Sequence, residues 1–137
     1  MTFFVPGPPK GKARPRSIIG RDGKIHVYTD KKSLEYEKLI QECLMTVPEP
    51  IIPSEGYFSM RIEVIYPIPV STPKSKREEM LLGLIRPAKK PDLDNIAKAV
   101  CDALNNHVYF DDKQVVNLSI WKVYGDKPGL QVTIAKI

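Results

Sequence analysis

Phe58-Ser59-Met60-Arg61-Ile62-Glu63-Val64-Ile65-Tyr66 alternates with a period of two. Phe58, Met60, Ile62, Val64 and Tyr66 fall on one side, and Ser59, Arg61 and Glu63 on the other. That is the pattern of a half-buried strand. Toward the C-terminus, Val115 to Tyr124 and Leu130 to Ile137 read as two more strands. Leu130, Val132, Ile134 and Ile137 alternate with Gln131, Thr133 and Lys136, and Gly125-Asp126-Lys127-Pro128-Gly129 predicts a loose hairpin between the two. Toward the N-terminus, Thr2 to Val5 is β-prone, and Asp22-Gly23 predicts a hairpin turn within Ile18 to Tyr28. Three helices are expected between the strands. The first, capped by Thr29 or Asp30, covers 31–46 and shares Tyr36, Leu39, Ile40, Cys43 and Leu44 on one face. A short second one opens on the capping box Ser75-Lys76-Arg77-Glu78 and stops at Pro87, and the third runs from Asp94 to Asn106. The order predicts one α+β domain over residues 1–137, a mixed or antiparallel sheet with helices packed on it.

The chain has 137 residues, 42% apolar and 27% charged, enough for one core and too few for two. It contains no apolar run of about 18 residues and no apolar N-terminal segment of the signal-peptide kind. Neither membrane insertion nor secretion is expected. Cys43 and Cys101 have no partners at metal-ligand spacing and read as reduced thiols of a cytoplasmic protein. The net charge of +5 is uneven: residues 1–40 hold nine Lys/Arg against four Asp/Glu, and the remainder is balanced. The excess sits around Pro6-Gly7-Pro8-Pro9-Lys10-Gly11-Lys12-Ala13-Arg14-Pro15-Arg16, a segment its prolines bar from helix or ladder. Such a segment predicts phosphate contacts from Lys10, Lys12, Arg14 and Arg16, with Lys89 and Lys90 near the acidic cluster as further candidates.

Five of the eight aspartates fall between residues 92 and 112, a window without glutamate. The core of it reads Lys89-Lys90-Pro91-Asp92-Leu93-Asp94-Asn95-Ile96-Ala97-Lys98, followed by Asp102 and Asp111-Asp112-Lys113. Pro91 biases Lys90 toward extended backbone, where Asp92 and Asp94 would point to the same side. With Asp94 as cap, Asp94, Lys98, Asp102 and Asn105 line one helical face and Ile96, Val100, Ala103 and Leu104 the opposite one. Carboxylates gathered at a helix start suit a hard divalent cation, Mg²⁺ first, with Asp111 and Asp112 completing the shell if residues 105–110 fold back. Lys98 is placed to offset charge on a phosphate. The plainer alternative makes Asp94 a cap, Lys98 and Asp102 an exposed pair, and Asp111-Asp112 a turn.

Pro91-Asp92-Leu93-Asp94-Asn95, Lys98, Asp102-Ala103-Leu104-Asn105-Asn106, Tyr109 and Asp111-Asp112-Lys113-Gln114-Val115 together resemble the signature of RusA-type Holliday-junction resolvases. Residues Gly7 to Arg16, Tyr28-Thr29 and Tyr36-Glu37 resemble the beginning of that family. The resemblance implies a small homodimeric α+β endonuclease that cuts four-way DNA junctions with Mg²⁺ in recombination and repair. It implies catalytic roles for Asp92, Asp94, Lys98 and Asp112, with metal on Asp92, Asp94 and Asp112 and Asp111 as the alternative donor. Pro91 stands where some members carry a basic residue. Two other readings stay open. Pro91-Asp92 with Asp111-Asp112-Lys113 also mimics a less selective restriction-type nuclease, and a DNA-binding module without catalysis would use the aspartates structurally.

Overall fold

The strand at Phe58–Pro67 is central, and its inward residues Met60, Ile62 and Val64 are fully buried. The computed structural model describes residues 1–137 and gives, in chain order, β1 (Thr2–Pro6), β2 (Arg16–Ile19), β3 (Ile25–Tyr28), α1 (Lys31–Leu44), β4 (Phe58–Pro67), α2 (Lys74–Leu81), α3 (Leu93–Leu104), β5 (Val115–Gly125) and β6 (Gly129–Lys136). A 3-10 turn, Asp112–Gln114, leads into β5. The main sheet has the order β1-β6-β4-β5, with β4 parallel to β5 and antiparallel to β6. The expected α+β class with a mixed sheet is what the structure shows. β2 and β3 form a separate exposed hairpin.

One expectation fails here: β5 and β6 are not a hairpin. β4 lies between them, so Asp126–Pro128 bridges two strand spacings, roughly 10 Å. Alternation marks a strand but does not say which strand sits beside it. Glycines make the crossing possible. A Cβ on Gly125 would lie 2.9 Å from Ile65 Cγ2, and one on Gly129 would strike the Val5 carbonyl.

Both long helices cover one face of the sheet. Tyr36, Ile40 and Leu44 of α1 and Ile96, Ala99, Val100, Ala103 and Leu104 of α3 join Phe3, Val5, Leu130, Val132 and Ile134 in a single core of 20 buried residues. Each fully buried aliphatic side chain contributes about 1.5–3 kcal/mol relative to exposure. α1 begins after Asp30, as expected. α2 differs from the expectation. Arg77 N–H donates to the Pro73 carbonyl, so the helix starts at Lys74 and Ser75 lies inside it. Gly83, at φ +79°, ends it well before Pro87. No helix is long and apolar enough to cross a membrane.

Candidate active site

The start of α3 departs from the sequence reading by two residues. Ile96 N–H donates to the Asp92 carbonyl, which makes Asp92 the N-cap and puts Asp94 in the first helical turn. The two carboxylates therefore do not share the side of an extended segment. Asp94 instead sits where the helix dipole favours an anion. Both side chains are exposed, and that of Asp92 makes no capping hydrogen bond.

Two strands hold the chain entering this helix. The Tyr66 hydroxyl, at the end of β4, donates to the Lys90 carbonyl at 3.2 Å. Lys122 of β5 donates from Nζ to the Lys89 carbonyl. The Lys89 ammonium lies 5.3 Å from the Tyr66 ring centroid and 5.6 Å from that of Tyr124. Lys89 is thus held over two aromatic rings while its backbone carbonyl is fixed, and the next residues are the cis Lys90–Pro91 bond and Asp92.

The basic N-terminal segment is not a free arm. Lys12 N–H donates to the Asn95 carbonyl at 3.0 Å, and Ala13 N–H to the buried Ser33 Oγ at 3.1 Å. Gly11 packs so closely that a Cβ there would lie 2.7 Å from Asn95 Cβ and 3.1 Å from Pro91 Cβ. Lys10, Arg14 and Arg16 remain exposed, and the Lys10 ammonium lies 6.0 Å from the Tyr36 ring centroid. Lys12 turns inward: its ammonium is 2.6 Å from Asp102 Oδ2 and 2.8 Å from Glu37 Oε1, and its side chain is only 16% exposed. A shallow cleft of about 290 Å³ lies between this strap and α3, lined by Gly11, Lys12, Ala13, Lys90, Pro91, Asp92 and Asn95. A hollow bearing Lys10 and Lys32 shares Gly11, Ala13, Lys90 and Pro91 with it.

Asp102 ties these parts together. Its Oδ1 is 2.9 Å from Lys98 Nζ, and Lys98 Nζ is 3.6 Å from Asp112 Oδ2. Burial would raise the Asp102 carboxyl, but hydrogen bonds from Lys12 and Lys98 outweigh it and hold the group below the usual carboxylate range. The bond to Asp102 raises Lys98 against the weaker effect of burial, so Lys98 stays cationic. For Lys12, burial pushes down, and the bonds to Asp102 and Glu37 together push the group up.

Residues 105–110 fold back as expected. The buried Tyr109 hydroxyl donates to the Cys101 carbonyl at 2.8 Å, and its ring meets Phe58 edge-on at 5.6 Å. This brings Asp111-Asp112 beside α3, and the two aspartates then part. Asp111 caps the 3-10 turn by accepting from Lys113 N–H, while Asp112 faces Lys98. Lys113 is 80% exposed and pairs with Asp111 at 3.8 Å. The lysine of the restriction-type reading thus reaches Asp111 alone, and the one beside Asp112 is Lys98.

Asp92, Asp94 and Asp112 offer only carboxylate oxygens, the donor type that a hard divalent cation takes. No three acidic, histidine or cysteine side chains gather closely enough to hold a metal by themselves. This donor set fits Mg²⁺ as part of a shell, since that ion is usually held by one or two carboxylates together with water and substrate phosphate. Sequence reasoning missed the inward turn of Lys12 and the roles of Glu37, Tyr66 and Lys122. Only Glu37 had a signal, as part of the Tyr36-Glu37 resemblance.

Residues 6–135 match the family model described as Endodeoxyribonuclease RusA. The chain is also 41% identical over 138 residues to "Uncharacterized protein YqaN" of Bacillus subtilis (strain 168), a match covering 98% of this chain and 95% of that protein.

Proposed function

The chain belongs to the RusA endodeoxyribonuclease family, and on that premise we propose that it resolves four-way DNA junctions by Mg²⁺-dependent phosphodiester hydrolysis. The observation that carries the proposal is the position of Lys98 between Asp102 and Asp112, on the helix whose start bears Asp92 and Asp94. Mg²⁺ bound through Asp92, Asp94 and Asp112 would supply a water of lowered pKa and polarise the phosphoryl oxygen.

The protein's own residues do the rest. Lys98, kept cationic by Asp102, offsets the charge that builds on the phosphate oxygens during in-line attack. Lys90 lines the cleft, Lys10 the adjoining hollow, and Arg14 and Arg16 are exposed further along the same segment; all four bind the backbone phosphates, contacts that position DNA without reading its sequence. A homodimer would present two such sites to a junction of near two-fold symmetry, as paired cuts require. The setting is recombination and repair in the cytoplasm.

Cleavage of a synthetic four-way junction beside matched duplex tests this reading. Paired nicks on the junction alone are expected, abolished by chelator and by Asp94→Asn. Equal cutting of duplex would mean a less selective nuclease. Binding without any cut, unchanged in Asp94→Asn, would refute catalysis altogether.

A further inference from the structure

We infer that Lys12 is a positioning residue that acts through Asp102 on Lys98, and not one of the DNA phosphate contacts. The assignment rests on the nuclease reading above and concerns how the same site is held in shape.

Three observations lead there. First, Lys12 is set apart from its basic neighbours. Its side chain is 16% exposed, whereas Lys10, Arg14 and Arg16 are exposed. Second, its ammonium is already shared by two carboxylates, Glu37 at 2.8 Å and Asp102 at 2.6 Å. A phosphate approaching it would have to displace one of these two carboxylates. Third, the two oxygens of Asp102 are divided between two lysines, Oδ2 to Lys12 and Oδ1 to Lys98. Holding one oxygen fixes the direction in which the other points.

Lys98 needs such a fixed acceptor. Its side chain is 59% exposed and has a flexible four-carbon stem. Without an anchor it would sample many rotamers, and only a few would bring its ammonium to a phosphate. Lys12 supplies the anchor from the far side of Asp102. Its own backbone is pinned by the bond from its N–H to Asn95 O, one turn before Lys98 on α3. The strap, α1 and α3 thus meet at the Lys12 ammonium, and the exposed lysine on the other oxygen of Asp102 is the one that faces Asp112.

The test separates rate from binding. Single-turnover cleavage of the four-way junction is measured at saturating protein for wild type, Lys12→Met, Lys12→Arg, Asp102→Asn and Lys12→Met/Asp102→Asn. Junction Kd is measured over a range of salt, with Lys10→Met and Arg14→Met alongside. Misplacing a catalytic group by an ångström can cost up to about 100-fold, so a loss of roughly tenfold in rate is expected for Lys12→Met. Its Kd and salt slope should match wild type, Lys12→Arg should recover much of the rate, and the double variant should be no slower than Asp102→Asn alone. Lys10→Met and Arg14→Met should instead lower the salt slope by about one each, as lost phosphate contacts do.

A Lys12→Met protein that cuts at the wild-type rate but binds more weakly, with the slope reduced by about one, would overturn the inference. Losses that multiply in the double variant would also overturn it. If Lys12→Met does not fold, the comparison of Lys12→Arg with wild type and Asp102→Asn decides the matter in the same terms. A wild type that cuts no junction overturns the nuclease reading itself. A wild type that cuts, with Lys12→Met unaffected in rate, overturns this inference alone.

Discussion

Removing both groups that hold the chain ahead of Asp92, in the double variant Tyr66→Phe/Lys122→Met, should slow cleavage without weakening junction binding. Tyr66 supplies one neutral hydrogen bond to the Lys90 carbonyl, and Lys122 one charge-assisted bond to the Lys89 carbonyl. The first is worth about 1 kcal/mol, and the second would be worth about 1.5–3 kcal/mol if fully buried. Lys122 is half-buried, and solvent screening brings its share to about 1 kcal/mol. Together they favour the observed course of residues 89–91 by about 2 kcal/mol, which is roughly 30-fold in population. If cleavage requires Asp92 where it stands, each single variant should lose up to about fivefold in single-turnover rate and the double up to about 30-fold, the full amounts where the unbraced loop takes other courses. The assay is cleavage of a labelled four-way junction at saturating protein and 25 °C, with circular dichroism confirming the fold. A double variant that remains folded and cuts within about twofold of wild type would show that the loop keeps its course unaided. A weaker Kd with an unchanged rate would show instead that Lys122 acts on DNA.

Gly11→Ala should destabilise by about 1–3 kcal/mol, because its Cβ would lie 2.7 Å from Asn95 Cβ, an atom that cannot swing aside. The midpoint of urea unfolding measures this, and an unchanged midpoint would mean that the strap is not tightly docked. The difference in urea stability between wild type and Asp102→Asn should depend on pH. Asp102 is held below its ordinary value of 3.8, so its contribution is complete above that value and fades as pH falls through the lowered one. Lys12 is raised above 10.5, so its contribution is complete below 10.5 and fades as pH rises past it. A difference that stays constant from neutral pH down to about pH 2 would refute the ion-pair account.

The elements were legible where the pattern was local. Alternation in Phe58–Tyr66 and Leu130–Ile134 marks β4 and β6, and the face of Ile96, Val100, Ala103 and Leu104 is the one that α3 buries. Strand order was not legible, because the link at Asp126–Pro128 looks like a hairpin whether or not another strand intervenes. The nearness of Lys98 to Asp102 follows from helical spacing. The approach of Asp112 needed residues 105–110 to fold back, which Tyr109 secures from the core. The second life of Lys12 had no sequence signal. A lysine among prolines and arginines reads as a phosphate contact, and its partners Glu37 and Asp102 lie 25 and 90 positions away.

Pairing of β1 with β6 joins the first strand to the last, and β6 is also one of the two neighbours of β4. During synthesis, then, β1 has no partner and β4 lacks one flank until the last elements emerge. The groups around Asp102 come from residues 12, 37, 98 and 112, all resting on that unfinished sheet. Contacts this distant in sequence make folding slow relative to a helical bundle of equal size. A chain stopped before β6 would carry the basic strap and α3 without the sheet on which they rest. Timing is thus written into the topology: the groups around Asp102 gain their full support only once β6 has joined the sheet.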